Sequence, residues 1–328
     1  MDHFCEEIVQ YVTSNGTCGN FEALALSSFE RQYDMIQPYR RLCDSTTTVP
    51  GRVKSWRDIP PVPISAFKLF DLSCSDTASA IRIFHSSGTT SSDTSKHFMD
   101  AAALEMYKFS VVEGFRHYFG TPQLPIYALM ESPQNAPTSS LSSMLELLGC
   151  STFFGSDYTS AIDFLSHTDT PLILFATAFA LMNLFDSSDT KHALPNGSIV
   201  IETGGFKGRS RTLDRSDFYD LISNKFRVSD THVYSEYGMC ELSSQYYSRG
   251  LDGSFSGPPW LKTRVVDPST GLDCRNGQVG VVIHYDLTNV NSVLAIRTQD
   301  LGICKSDGFT LCGRTSDAPL RGCSLMAE

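Results

Sequence analysis

Apolar residues recur at helical spacing over residues 1–58, where the run 21–26 and Phe29 place apolar groups on one side of a helix. The segment 56–63 interrupts this pattern with three prolines in four positions, and proline lacks the backbone N–H that a helix needs. Because proline also favours an extended conformation in the residue before it, we expect an extended connection here. The sequence therefore predicts an N-terminal helical region with a proline-rich connection, residues 1–63.

Beyond residue 63, short apolar runs typical of strands alternate with longer segments of helical spacing. Strand candidates are the runs 81–84, 124–130, 172–175, 199–202 and 232–234, and helix candidates include 101–119 and 140–148. This alternation predicts an α/β core, residues 64–256, with a largely parallel sheet flanked by helices. In such sheets, ligands bind beyond the carboxyl ends of the strands.

The character of the sequence changes at residue 257. Two prolines and a tryptophan occupy 258–260, a turn-rich cluster follows at 268–276, and the segment 279–287 has the alternation of a strand. These features predict a smaller antiparallel sheet or barrel over residues 257–313.

Composition and charge exclude several classes of protein. A chain of 328 residues with 41% hydrophobic and 19% charged residues is typical of globular proteins, and its net charge of −10 argues against nucleic acid as a partner. The first residues lack the basic and apolar regions of a signal peptide, and the apolar run 171–185 is too short to span a bilayer. Ten cysteines without a C-x-x-C pair disfavour zinc. We therefore expect a cytoplasmic protein without a membrane span.

The stretch 85–96, His-Ser-Ser-Gly-Thr-Thr-Ser-Ser-Asp-Thr-Ser-Lys, has the composition of a phosphate-binding loop. Small side chains let backbone N–H groups approach an anion, hydroxyls add donors, and Lys96 supplies a positive charge. The stretch follows the strand candidate 81–84, as a ligand loop in an α/β sheet does. On composition alone, an ordinary solvated turn is the more frequent interpretation.

Three further segments follow this loop in order. They are Tyr-Gly-Met-Cys-Glu at 237–241, Arg-Thr-Gln-Asp-Leu-Gly at 297–302, and Asp-Gly-Phe at 307–309, which leads to Gly-Arg at 313–314. The succession resembles the adenylate-forming enzymes, which include acyl-CoA synthetases, peptide-synthetase adenylation domains and firefly luciferase. It is most similar to the acyl-protein synthetase family of bacterial bioluminescence. Residues 320–325 of this chain resemble the tail of that family. The resemblance runs from about residue 64 to the last residue.

The resemblance implies a fold, a reaction and cofactors. The fold would be that of the large N-terminal domain of adenylate-forming enzymes, with layered, mostly parallel sheets, flanking helices and a small antiparallel β sheet or barrel. The C-terminal lobe would be reduced to a hinge remnant and tail, residues 314–328. The reaction would use ATP and Mg²⁺ to activate a carboxylic acid, such as a fatty acid, to an acyl-adenylate, and would transfer the acyl group to a thiol. The next acceptor would be a reductase subunit or a carrier protein.

The resemblance also implies roles for individual residues. Lys96 and the hydroxyl loop would bind the β- and γ-phosphates, Glu241 would bind magnesium, and Asp300 would accept hydrogen bonds from both ribose hydroxyls. The nucleotide-binding set is Ser86, Ser87, Gly88, Thr89, Thr90, Gly204, Gly205, Tyr237, Gly238, Asp300 and Arg314, and the catalytic set is Cys323, Lys96 and Glu241. Ordinary alternatives are a helix-start carboxylate for Glu241, a strand-to-loop turn for the glycines, and turn or ion-pair roles for Asp300 and Arg314.

Cys323 occupies the place of the cysteine that carries the acyl group in the bioluminescence family. A thiol is only slightly ionised at neutral pH, so its attack on an acyl-adenylate would gain from a lowered pKa, which Arg321 could provide. Alternatively, Cys323 is a tail residue without a role. Two departures from the family pattern, Ser91 in place of glycine and Cys240 in place of threonine, keep open a second function: a catalytically weak nucleotide- or acyl-binding subunit.

The sequence motifs do not identify the acid. Phe175, Phe179 and Met182 could line an apolar tunnel for an acyl chain, or they could belong to the core, which is the more common fate of such residues. A hydrolase is disfavoured because the sequence contains no G-x-S-x-G motif.

Overall fold

The computed structural model describes residues 2–86, 94–121, 124–188, 191–204 and 213–315. The chain forms two compact units. Unit 1 comprises Met1–His117, Met239–Gln245 and Ser256–Glu328, and unit 2 comprises Tyr118–Gly238 and Tyr246–Phe255. The boundaries at residues 63, 256 and 313 stay predictions.

Helices and strands are numbered here in chain order within the described residues. The helices are α1 (His3–Thr13), α2 (Phe21–Met35), α3 (Gln37–Ser45), α4 (Ala66–Leu69), α5 (Ala101–Phe119), α6 (Ser140–Leu147), α7 (Tyr158–His167), α8 (Ala178–Asp186) and α9 (Arg215–Phe226). The strands are β1 (Val62–Pro63), β2 (Arg82–His85), β3 (Lys96–Met99), β4 (Ile126–Leu129), β5 (Thr152–Phe153), β6 (Ile173–Thr177), β7 (Ile199–Thr203), β8 (Val233–Tyr237), β9 (Tyr246–Arg249), β10 (Leu261–Val266), β11 (Val279–Asp286), β12 (Ala295–Lys305) and β13 (Gly308–Arg314). Short 3₁₀ helices lie at Trp56–Asp58, Thr77–Ser79 and Asp230–His232.

Unit 2 contains the predicted parallel sheet. Its strand order is β5-β4-β6-β7-β8-β9, and every neighbouring pair is parallel except the last. Leu174, Val200 and Val233 stand in register across β6, β7 and β8 and belong to a buried cluster that includes residues of α7, α8 and α9. Strands that carry apolar residues on consecutive positions are typical of such a sheet, because helices cover it. The α/β fold class is confirmed.

Unit 1 contains the smaller, mainly antiparallel sheet predicted for the end of the chain. Strand β12 pairs antiparallel with both β11 and β13, and β10 extends the sheet beyond β11. The proline-rich connection adds a short edge strand, since β1 pairs in parallel with β12 at Val62 and Pro63. An edge position suits proline, which cannot donate a hydrogen bond to a second neighbour.

The prediction for the run 81–84 is wrong in its pairing. The run forms β2, but β2 pairs antiparallel with β3 as a two-stranded hairpin of unit 1. The hydroxyl loop therefore connects two antiparallel strands and does not follow a strand of the parallel sheet. A short apolar run indicates a strand, but its pattern does not identify the strand beside it.

The first two helices begin at side-chain caps. The side chain of Asp2 accepts a hydrogen bond from the Cys5 N–H at the start of α1, and that of Asn20 accepts one from the Glu22 N–H at the start of α2. Each cap satisfies a backbone donor that has no partner inside its helix. Within the described ranges, no helix is long and apolar enough to cross a membrane.

Candidate active site

The predicted phosphate loop begins and ends on the β2–β3 hairpin. Lys96 is the first residue of β3 and stands opposite His85, and its side chain is exposed. The Ser86 N–H donates to the Ser95 carbonyl at 3.2 Å, and the Ser86 hydroxyl accepts from the Ser95 N–H at 3.0 Å. These bonds close the base of the loop. Four of the predicted loop residues lie outside the described residues: Ser87, Gly88, Thr89 and Thr90.

Glu241 lies in unit 1, in a segment of irregular backbone, and its side chain is buried. The carbonyl of the preceding residue, Cys240, accepts a hydrogen bond from His97 Nδ1 at 2.7 Å. Burial lowers the pKa of His97 to about 4, so the ring is neutral at pH 7 and carries its proton on Nδ1, which faces the carbonyl. Since His97 follows Lys96 on β3, this bond joins the loop hairpin to the Glu241 segment.

Glu241 is the predicted metal ligand. No cluster of three or more histidine, cysteine, aspartate and glutamate side chains that could hold a metal occurs in the part of the chain that the structure describes. Magnesium commonly binds one or two carboxylates and completes its shell with phosphate oxygens and water. The single carboxylate of Glu241 fits that chemistry.

Asp300 and Arg314 are brought together in unit 1. They stand opposite each other on β12 and β13, and Arg314 Nε donates to Asp300 Oδ1 at 2.9 Å. The Asp300 side chain is only 8% exposed, whereas that of Arg314 is 52% exposed. The Asp300 N–H also donates to the Thr298 hydroxyl, which itself donates to the Val282 carbonyl. Thr298 thus fixes the backbone of Asp300, and Arg314 fixes its carboxylate.

Unit 2 carries the other predicted nucleotide-binding residues at the carboxyl ends of neighbouring parallel strands. Gly204 follows β7 with a φ of +88°, a conformation that favours glycine. Tyr237 ends β8, where its ring lies 5.6 Å from that of Phe255 and 5.9 Å from that of Tyr246, and the exposed Gly238 follows. Gly205 and Cys323 lie outside the described residues, as do Ser91 and Arg321.

The predicted acyl-tunnel residues divide between strand and helix. Phe175 is fully buried in β6. Met182, on α8, belongs to the buried cluster of unit 2. Phe179 is half-buried on the same helix. Residues of a core and residues that line an acyl tunnel are both buried, so the tunnel stays a prediction.

Sequence reasoning missed two buried carboxyl groups near the carboxyl ends of β7 and β8, those of Glu202 and Glu236. Thr203 Oγ1 donates to Glu236 Oε2 at 2.5 Å across β7 and β8, and burial, with Glu202 nearby, raises the pKa of Glu236 to about 7. Burial also raises the pKa of Glu202, against hydrogen bonds from Ser235 and Tyr219 and the charge of Arg215. In the sequence, each is visible only as a charged residue within a predicted strand or next to a motif. Glu202 follows the apolar residues of β7, and Glu236 precedes Tyr237.

The fold is that of adenylate-forming ligases. A 2-hydroxyisobutyryl-CoA ligase, solved in the postadenylation state with its acyl-AMP, superposes with a TM-score of 0.67 at 16% identity, covering 92% of this chain and 69% of that one. ATP-bound MatB from Rhodopseudomonas palustris superposes with a TM-score of 0.53 at 17% identity, over 73% of this chain and 49% of MatB, so this chain matches about half of that protein. At these identities, the likeness establishes the fold class alone.

Comparison with known sequences identifies the family. The sequence model of the acyl-protein synthetase LuxE family matches residues 19–328, so the chain belongs to that family. The long-chain-fatty-acid–luciferin-component ligase of Vibrio harveyi is 25% identical over 92% of this chain and 85% of its own length. The Aliivibrio fischeri ligase of the same name is 27% identical over 32% of this chain and 28% of its own length. The predicted resemblance is confirmed, and this chain is an acid-activating ligase by family.

Proposed function

We propose that this chain uses ATP and Mg²⁺ to convert a fatty acid to an acyl-adenylate and then transfers the acyl group to Cys323. The observation that carries this proposal is the family match over residues 19–328, which includes every predicted site residue. The Vibrio harveyi relative is named for a long-chain fatty acid and a luciferin component, which makes fatty acids the first acids to test.

In the first step, a carboxylate oxygen of the acid attacks the α-phosphorus of ATP, and pyrophosphate leaves with the electron pair of the broken P–O bond. Negative charge on the phosphate oxygens must be stabilised by fixed donors and cations. Lys96 and the loop from Ser86 to Thr90 are the residues that we assign to the β- and γ-phosphates. Glu241 would hold Mg²⁺, which when bound neutralises charge on the phosphates.

The nucleoside has its own set of assigned residues. In unit 1, the carboxylate of Asp300 can accept hydrogen bonds from two hydroxyls of a ribose, because each of its oxygens accepts more than one bond. Arg314, whose Nε lies 2.9 Å from Oδ1, orients that carboxylate. Gly204, Gly205, Tyr237 and Gly238 are assigned to the adenine, since backbone without Cβ atoms lets a flat base approach.

In the second step, the Cys323 thiolate attacks the acyl carbonyl carbon. A C–S bond forms, the C–O bond to AMP breaks, and AMP leaves with the electron pair. The resulting thioester would deliver the acyl group to a partner protein, for which a reductase subunit is favoured by the name of the relatives.

Intact-protein mass after incubation with ATP, Mg²⁺ and a series of fatty acids tests this proposal. The wild type and Cys312→Ser, which removes an exposed cysteine of β13, should gain one acyl mass that neutral hydroxylamine removes. Cys323→Ser should gain none. An acyl mass on Cys323→Ser, or pyrophosphate release without an acyl mass on the wild type, would reject Cys323 as the carrier. Absence of both pyrophosphate release and acyl mass would favour a nucleotide- or acyl-binding subunit.

A further inference from the structure

The Asn289 side chain lies in unit 1 and uses its full hydrogen-bonding capacity within the protein. Nδ2 donates to the Glu241 carbonyl at 2.9 Å and to the Val293 carbonyl at 3.1 Å. Oδ1 accepts from the Ser243 N–H at 3.0 Å and from the Ser243 hydroxyl at 2.8 Å. A flipped amide would place its oxygen against two carbonyls and its NH₂ against an N–H, so these partners define one orientation. Asn289 is also buried, with 1% exposure.

The segment that Asn289 holds has no regular backbone structure of its own. Residues 240–243 form neither helix nor strand, so side chains from other parts of unit 1 fix their backbone. His97 binds the Cys240 carbonyl, Asn289 binds the Glu241 carbonyl, and Asp286 Oδ2 accepts from the Ser243 N–H at 3.0 Å. The backbone position of Glu241 therefore depends directly on the Asn289 amide.

Asn289 is itself anchored to helix α2. Gln32 of α2, buried at 1% exposure, donates from Nε2 to the Asn289 carbonyl at 3.1 Å. Its Oε1 accepts from the Leu294 N–H at 2.8 Å, on the other side of the same turn. A buried amide without partners costs free energy, so the two ends of the Gln32 amide define where this turn lies. A chain of hydrogen bonds thus runs from Gln32 through Asn289 to Glu241.

We propose that Asn289 is a positioning residue for Glu241 as the ligand of the nucleotide-bound metal, and that Gln32 supports Asn289 in this role. The inference rests on the proposed function, in which Glu241 holds Mg²⁺. Magnesium requires ligand distances near 2.0–2.1 Å and nearly octahedral geometry, so a small displacement of the Glu241 backbone weakens the contact. Partners that orient a metal ligand typically contribute about 10- to 100-fold to metal affinity.

Equilibrium binding of ATP, measured by calorimetry without any acid, tests this inference independently of catalysis. The dissociation constant is determined with Mg²⁺ and again with EDTA, and the ratio gives the metal-dependent gain in affinity. The test variants are Asn289→Ser and Gln32→Met. The matched control is Asn291→Ser, because Asn291 is a buried asparagine of the same turn that bonds Ser73, Ser75 and Phe98 instead of the Glu241 segment. Glu241→Gln is the reference for a lost ligand.

We expect Asn289→Ser to reduce the metal-dependent gain about tenfold and Gln32→Met to reduce it less, with binding in EDTA unchanged. Asn291→Ser should keep the wild-type gain. A wild-type gain in Asn289→Ser, or an equal loss in Asn289→Ser and Asn291→Ser, would overturn the inference. If Asn289→Ser does not fold, the same comparison is made between Gln32→Met and Asn291→Ser. An unchanged gain in Glu241→Gln would instead reject Glu241 as a metal ligand and with it that part of the proposed function.

Discussion

Arg314 Nε donates to Asp300 Oδ1 at 2.9 Å across the β12–β13 pair. The two residues belong to separate motifs of the sequence, fourteen positions apart, and the antiparallel register places them side by side. An ion pair with one half-exposed partner contributes little to stability, about 1 kcal/mol or less. We propose that the pairing instead orients the Asp300 carboxylate for a ligand.

Asp300→Asn tests that orientation role. The amide keeps the shape of the side chain but removes its charge and one acceptor, so we expect the KM for ATP in pyrophosphate exchange to rise about tenfold or more. The free energy of unfolding should change by about 1 kcal/mol or less. The control is Asp273→Asn, whose carboxylate pairs with Arg57 of the first 3₁₀ helix and with Arg264 of β10. An equal change in KM for both variants would contradict a ribose contact.

Glu236 makes the stability of the protein fall as pH rises. Its pKa in the folded state is about 7, above the ordinary value of 4.5. Between these two pH values, the folded protein keeps a proton on Glu236 that the unfolded chain has released. The stabilisation is complete below about pH 4.5 and is lost as pH rises through 7. Glu236→Gln removes this loss, which amounts to about 3 kcal/mol at 1.4 kcal/mol per pKa unit.

Urea unfolding at pH 5.5 and pH 8 measures the effect of Glu236. The stability of Glu236→Gln relative to the wild type should increase from the lower to the higher pH. Glu146→Gln, which changes an exposed glutamate of α6, should show no such trend. A constant difference for Glu236→Gln would mean that Glu236 is ionised at both values.

His284 has the opposite effect in a lower pH range. The side chain is fully buried in β11, and burial lowers its pKa to about 3, against the nearby charge of Asp300, from an ordinary value of 6.5. Its contribution to stability is therefore complete above pH 6.5 and is lost as pH falls toward 3. In urea unfolding, His284→Gln should lose less stability than the wild type between pH 6.5 and pH 4.5. Equal losses would contradict a neutral buried ring.

Gly302 of the 297–302 motif has a packing role. A Cβ at this position would lie 2.8 Å from Val282 Cγ2, and valine has few rotamers with which to move away. We expect Gly302→Ala to lower the free energy of unfolding by about 1–3 kcal/mol. Because Gly302 is assigned no nucleotide contact, the KM for ATP should stay near the wild-type value in variant protein that folds. A large rise in KM without loss of stability would place Gly302 in the binding site.

Local patterns predicted the elements well because their causes are local. The run 101–119 forms α5 with the predicted bounds, and strands form near every run that the sequence indicated. Which strands pair with each other was less predictable. The run 81–84 pairs with Lys96–Met99 in a hairpin, because strand pairing depends on contacts that periodicity does not contain.

In the candidate site, too, residues within local motifs could be predicted, whereas residues that act through distant contacts could not. Motif residues such as Glu241 and Asp300 could be proposed as site residues because their neighbours in the sequence carry the resemblance. Asn289 could not, since its importance arises from bonds to Glu241 and Gln32, which are 48 and 257 positions away. Buried polar residues outside motifs are visible in sequence only as polar positions within apolar surroundings, as for Glu236 in β8.

Acid-dependent exchange of pyrophosphate into ATP is the most direct test of the central claim that this chain forms acyl-adenylates. Exchange requires reversible attack of the acid on the α-phosphate and does not require Cys323. We predict exchange with a fatty acid in the wild type and in Cys323→Ser, and a strong reduction in Glu241→Gln. No exchange with any acid in folded wild-type protein would contradict the claim and leave a nucleotide- or acyl-binding subunit.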